Sequence, residues 1–228
     1  FAGWDWVPVG NGVNGPVHAL LFHNNKLYVG GEFTLAGGIA VKNIAVYDIA
    51  MGQWQALGNL DSRVRALTIY NNELYAGGTF TGFVSKWNGT TWTDVAQGFL
   101  YGEGVRTLEV WNSELVIGGN FELATGALRR HVATYNGTYM GMLGMGTVTP
   151  VNDFEIHHGK LYAACDVVSG SDTCALALFD NVNGQGWETI ISTQVSMVDG
   201  FYGNAIYKLM SADGKLYWLT RGDSNANG

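Results

Sequence analysis

Short apolar runs separated by pairs of turn residues recur along the chain, and their spacing predicts its organisation. The runs VHALLF, VRALTI, VRTLEV, VNDFEI and IYKLMS begin at Val17, Val64, Val105, Val151 and Ile206. Each run is followed by a two-residue turn: Asn24-Asn25, Asn71-Asn72, Asn112-Ser113, His158-Gly159 and Asp213-Gly214. Asn, Asp and Gly tolerate the positive φ of a type I′ turn, so each run predicts the first strand of a β-hairpin. The second strands begin around Leu27, Leu74, Leu115, Leu161 and Leu216, at spacings of 47, 41, 46 and 55 residues. A third strand follows in the first four units, as NIAVYD, FVSKWN, HVATYN and LALFDN. A further turn then leads to a fourth strand marked by Trp54, Trp92, Tyr139 and Trp187.

Four antiparallel strands per unit of forty-odd residues, with no long amphipathic helix, predict an all-β chain built as a β-propeller. The expected blades are five, at about 16–58, 64–98, 105–144 and 151–191, with the last formed by 204–228 and 1–10. WVPVG (residues 6–10) has the form of WQALG (residues 54–58) but no blade before it. The N-terminal strand is therefore expected to complete the last blade, making residues 1–228 a single propeller.

Composition narrows the function classes. Of 228 residues, 33 are Gly and only 14% are charged, with a net charge of -7, which suits strands and tight turns rather than charged helix surfaces. Nucleic acid is not an expected partner, because backbone binding needs clustered Lys and Arg. No apolar run approaches the roughly 20 residues that cross a bilayer, so no membrane insertion is expected in this segment. The chain opens at Phe1 without an initiator Met, which fits either a removed signal peptide or a piece of a longer protein. Cys165 and Cys174 are the only cysteines; alignment with the other units places them across one hairpin, as a candidate disulfide.

Glycine pairs at Gly30-Gly31, Gly77-Gly78 and Gly118-Gly119 recur where a strand normally avoids glycine. Such pairs mark bulges or close backbone approach, with Phe33, Phe80 and Phe121 packing after them. The residue between the glycines and the Phe varies: Glu32, Thr79 and Asn120, with Asp166 and Arg221 at the same register. Counting back through the first hairpin places Glu32 opposite Val17, beside His18. The matching first-strand residues are His18, Arg65, Arg106, Asn152 and Tyr207. These ten side chains are expected at one end of the blades and form the candidate binding surface; local ion pairs such as His18 with Glu32 are the alternative reading.

Other chemistry is sparse. Glu109, Asp153 and Glu155 lie on first strands, where a glycosidase would need a carboxylate pair at a defined separation. NGT at Asn88 and Asn136 is a candidate N-glycosylation acceptor, although Asn-Gly also forms the turn there. Arg221 to Asp223 reads RGD, taken as a chance occurrence, and His157-His158 falls at a turn rather than in a metal-ligand pattern. No cofactor is expected; Asp223, Asn225 and Asn227 match the first half of a calcium loop, the only hint of a metal.

The sequence LYVGGEFTLAGG, followed by NIAVYD and QWQALG, resembles the repeats of kelch-like and galactose-oxidase-like propellers. It is most similar to those of fungal cortical markers of cell polarity and of delta-60-type bacterial surface and secreted proteins. The size is similar to that of tachylectin-type five-bladed lectins, whose sugar-binding motifs are not evident. The resemblance implies an extracellular or cell-surface location and a non-catalytic binding or structural role. The expected partners are glycans or proteins, including other copies of the chain. A five-bladed propeller glycoside hydrolase is the alternative.

Overall fold

A computed structural model describes residues 8–95, 98–123, 130–166, 174–180, 186–192 and 205–220. All regular structure in these residues is β. The chain divides into two compact units, residues 1–95 and 96–228.

The first unit holds two four-stranded antiparallel sheets. One is formed by β1 (Val17–His23), β2 (Lys26–Gly31), β5 (Ile44–Asp48) and β6 (Gln53–Ala56), in that spatial order. A small hairpin, β3 (Leu35–Ala36) and β4 (Ile39–Ala40), is inserted between its second and third strands. The other sheet runs β7 (Val64–Tyr70), β8 (Glu73–Gly78), β9 (Val84–Trp87) and β10 (Trp92–Asp94). The core between the sheets joins Ile44, Val46, Leu57 and Leu60 to Val64, Leu74, Ala76 and Phe80.

The second unit repeats the plan. Its first sheet is β11 (Phe99–Trp111), β12 (Glu114–Leu123), β13 (Arg130–Tyr135) and β14 (Met140–Gly141). Its second is β15 (Val151–His157), β16 (Lys160–Cys165), β17 (Cys174–Asp180) and β18 (Gly186–Ser192). The hairpin β19 (Ile206–Ala212) and β20 (Lys215–Thr220) follows. Val116 and Val132 pack against Val151 and Phe154. Ala164 and Leu176 pack against Ile206 and Leu209 in the same way. The segments expected to complete the fifth blade, before residue 8 and after residue 220, lie outside the described residues.

The predicted hairpin turns form as the residue types require. Both central residues take positive φ at all five, from Asn24 at 48° and Asn25 at 59° to Asp213 at 50° and Gly214 at 69°. The third-to-fourth-strand turns are capped by a side-chain oxygen. Asn88 Oδ1 accepts from the Thr90 and Thr91 amides at 2.9 and 2.8 Å, and Asn136 Oδ1 from those of Thr138 and Tyr139 at 3.0 and 2.9 Å. This turn role accounts for both Asn-Gly pairs without a glycan.

The glycine pair has two distinct duties. A β-carbon on Gly30 would lie 2.5 Å from Val64 Cγ1 of the next sheet, and one on Gly118 would lie 2.6 Å from Phe154 Cε2. The first glycine is thus a notch that receives the neighbouring sheet. A β-carbon on Gly31 would meet the Pro16 carbonyl, and on Gly78 the Arg63 carbonyl, both within the same sheet. The second glycine therefore admits the backbone leading into its own first strand.

The recurring Trp also has a physical reason. Trp92 Nε1 donates to the Leu57 carbonyl at 2.7 Å, and Trp187 Nε1 to the Leu143 carbonyl at 3.0 Å. Each acceptor immediately precedes a glycine with positive φ, Gly58 or Gly144, at the exit of the preceding sheet. Trp54 Nε1 makes the same bond to Val9, which precedes Gly10 at φ 54°.

Candidate functional site

All five first strands carry a β-bulge at one register, where two residues oppose one on the second strand. Val17 pairs with Gly31 and Ala19 with Gly30, leaving His18 as the extra residue. The same count isolates Arg65, Arg106, Asn152 and Tyr207. A bulge adds twist and re-aims a side chain without breaking the sheet, so each hairpin presents one variable polar or hydroxyl-bearing residue at the same point. The bulge also corrects the predicted register. Gly31, not Glu32, faces Val17, and Glu32 lies one residue farther on, its amide bonded to the Pro16 carbonyl at 2.8 Å.

In the first unit the bulge residue reaches its expected neighbour. His18 Nε2 lies 2.8 Å from Glu32 Oε1. Arg63, which the sequence reading missed, completes the group: its Nε donates to Glu32 Oε1 at 2.5 Å and its terminal nitrogen to Oε2 at 2.9 Å. This two-point contact links the two sheets of the unit. Hydrogen bonds from Arg63 and then His18 hold the Glu32 carboxyl well below the usual range, at about 2. Thr79 bonds Ser62 at 2.9 Å, and Arg65 is half-buried. The residue before the first strand was the missed signal: Arg63 stands where the other units have Pro16, Gly104, Pro150 and Ala205.

In the second unit, three predicted residues converge. A terminal nitrogen of Arg106 donates to Asn152 Oδ1 at 2.6 Å and to Asp166 Oδ2 at 2.8 Å, while Asn152 Nδ2 donates to Asp166 Oδ1 at 2.8 Å. Asn152 Nδ2 also reaches the Ile206 carbonyl at 3.0 Å, so the network spans three consecutive first strands. Glu103, a second missed residue, meets Arg106 from its exposed side at 3.3 Å. Asn120 is half-buried and Tyr207 is exposed. Arg221 lies outside the described residues, as do Asp223, Asn225 and Asn227.

The inner carboxylates lie on neighbouring strands of this unit. Asp153 is buried, accepting from Lys208 Nζ and the Leu209 amide, both at 2.8 Å. Burial pushes the Glu109 carboxyl up, reinforced by the Glu155 and Asp153 charges. Glu155 is raised for the same reasons, burial first and then Asp153. His157 Nδ1 lies 2.8 Å from Ser211 Oγ, and His158 occupies a hairpin turn. Among the described residues, no group of three or more His, Cys, Asp or Glu is arranged to hold a metal.

The candidate disulfide gains no support. Cys165 is buried, with its sulfur 3.9 Å from the Ala163 carbonyl oxygen. The β16–β17 ladder ends at Ala164 opposite Leu176, and Cys174 pairs through its backbone with Ser192 on β18. The Cys174 side chain lies outside the described residues.

Among the described residues, no helix is long and apolar enough to cross a membrane. No curated protein matches the chain. By fold it is similar to the computationally designed Ika8 protein, with 17% identity and a TM-score of 0.56 over 90% of this chain and 55% of that one. It is also similar to the extracellular domain of BT4673, a hybrid two component system of B. thetaiotaomicron, with 11% identity and a TM-score of 0.64 over 93% of this chain. The chain thus spans about half of the first structure and 28% of the second. A family model described as the Rax2 C-terminal beta propeller domain matches residues 3–113, just under half of the chain. That match and the repeated four-stranded antiparallel sheets identify the fold as a β-propeller domain.

Proposed function

We propose that the protein is a non-catalytic binding or structural module of the cell surface or extracellular space, recognising a glycan or a protein through its bulge-bearing ends. The carrying observation is the repeated β-bulge. It sets one variable side chain per hairpin on an invariant frame, as a recognition surface requires. The interlocked Arg106, Asn152 and Asp166 give that surface fixed donors and acceptors before any ligand arrives, which lowers the ordering cost of binding. A glycan array and a surface-protein pull-down with the wild-type chain and Arg106→Ala test the reading. Binding that Arg106→Ala weakens at least tenfold supports it. Empty results in both assays favour a purely structural role or self-assembly, which sedimentation separates.

A propeller glycosidase is the second reading, because Glu109 and Glu155 have carboxyls raised in the manner of a general acid. Turnover of aryl glycosides that Glu109→Gln or Glu155→Gln abolishes would replace the binding reading with this one.

A further inference from the structure

Among the described residues, asparagine precedes glycine at Asn11-Gly12, Asn14-Gly15, Asn88-Gly89 and Asn136-Gly137, and the four pairs are held in different ways. At Asn88 the side chain folds forward over its own glycine. Its Oδ1 accepts from the Thr90 and Thr91 amides at 2.9 and 2.8 Å, and its Nδ2 donates to Thr91 Oγ1 at 3.1 Å. The Gly89 amide has no hydrogen-bond acceptor among the described residues, and a β-carbon on Gly89, at φ 98°, would meet nothing within 4 Å. Asn136 has the same cradle, from the Thr138 and Tyr139 amides at 3.0 and 2.9 Å, before Gly137 at φ 99°. The other two pairs lack it. Asn14 Oδ1 accepts from the Thr34 and Leu35 amides at 2.9 and 2.8 Å, which turns the carboxamide away from its own glycine. A β-carbon on Gly15 would collide with the Glu32 carbonyl, so that peptide has no room to turn. The Gly12 amide is committed to the Val9 carbonyl at 3.1 Å.

We propose that Asn88 and Asn136 are self-modifying sites, at which the nitrogen of the following glycine attacks the side-chain amide carbon and expels ammonia. The glycine nitrogen gives its proton to water as it bonds to Cγ, and negative charge collects on Oδ1, where two backbone amides already point. The Cγ–Nδ2 bond then breaks, Nδ2 takes a proton from water and leaves as ammonia, and a cyclic imide remains. Water adds to one of the two imide carbonyls and reopens the ring. The product is either aspartate or an isoaspartate, whose main chain runs through the former side chain. Aspartate keeps the acceptor of the turn, loses the Nδ2 donor and adds a negative charge. Isoaspartate lengthens the main chain inside the turn that sets Trp87 opposite Trp92, and so disturbs the indole bond from Trp92 to the Leu57 carbonyl. Ageing at Asn88 therefore acts on the contact that fastens the second sheet of the first unit to the first.

The wild-type chain, held at neutral pH and sampled over time, is digested and its Asn-Gly peptides are resolved by mass spectrometry, with isoaspartate read by enzymatic carboxyl methylation. Asn88 and Asn136 are expected to convert roughly tenfold or more faster than Asn11 and Asn14, and in urea the rates should converge. Conversion of Asn88 and Asn136 no faster than that of Asn14 overturns the inference. So does a native ranking that persists in urea, because flanking sequence and not the turn would then set it. Gly89→Ala should slow conversion at Asn88 and leave Asn136 unchanged, with far-UV circular dichroism confirming the fold. An unchanged rate at Asn88 in that folded variant overturns the inference as well.

Discussion

Two glutamates, one in each unit, have opposite electrostatic fates. Glu32, near the surface of the first unit, is clasped by Arg63 and His18 and its carboxyl is held at about 2. Glu109, on the first strand of the second unit, is half-buried beside other carboxylates and its carboxyl is pushed up. The fold does not set the sign; the partner does. Where a guanidinium from the next sheet meets the carboxylate, charge ties blades together, and where burial dominates, the same residue type opposes folding at neutral pH.

The largest effect expected from breaking this contrast is at Asp153. Asp153→Ala removes the acceptor of the buried Leu209 amide and the partner of Lys208, and should cost about 2–3 kcal/mol in urea unfolding. It should also lower the titration of Glu109 and Glu155, followed by carboxyl carbon NMR. Next comes Arg106→Ala, with an expected loss of about 1–2 kcal/mol, because its hydrogen bonds to Asn152, Asp166 and Glu103 disappear while Asn152 and Asp166 keep their own contact. Arg106→Lys should recover only part of it, since an ammonium has no planar fork.

The remaining two predictions have opposite pH signatures. Glu109 is raised in the folded state, so its favourable contribution is complete below the unfolded value near 4.5 and is lost as pH rises through the folded value. Glu109→Gln should accordingly raise the urea midpoint at pH 7, with the gain shrinking toward pH 4. Glu32 is lowered, so its contribution is present above about 4.5 and is lost as pH falls toward about 2. Glu32→Gln should flatten the stability curve only in that acid window, by the smallest amount of the four, because the pair is half-exposed and screened by salt. Equal slopes for both variants would sink the comparison.

Much of the frame was legible in the sequence because local chemistry dictates it. Asn-Asn, His-Gly and Asp-Gly specify positive φ, and all five turns obey. The glycine pair announced close approach, and Gly30, Gly31, Gly78 and Gly118 supply it against the next sheet or their own backbone. A bulge is one of the two readings of the glycine pairs, but the extra residue lies on the opposite, first strand, where its trace is present: Val17 and Leu20, Val64 and Leu67, or Val151 and Phe154 are three apart, whereas one face of a regular strand repeats every two. One unread extra residue displaced Glu32 from its neighbour, and the loss of register hid Arg63. Convergence of Arg106, Asn152 and Asp166 joins residues 46 and 60 positions apart, a distance that no local pattern encodes.

The indole bond from each recurring Trp to the strand exit before it has a consequence for synthesis. A ribosome releases the chain in one direction, and each Trp emerges last in its blade, after the carbonyl it will bind. A finished blade is thereby fastened to what already exists rather than to what is still to come. Folding can advance like a ratchet, one blade per click, with contacts drawn from adjacent repeats instead of awaiting the whole polypeptide.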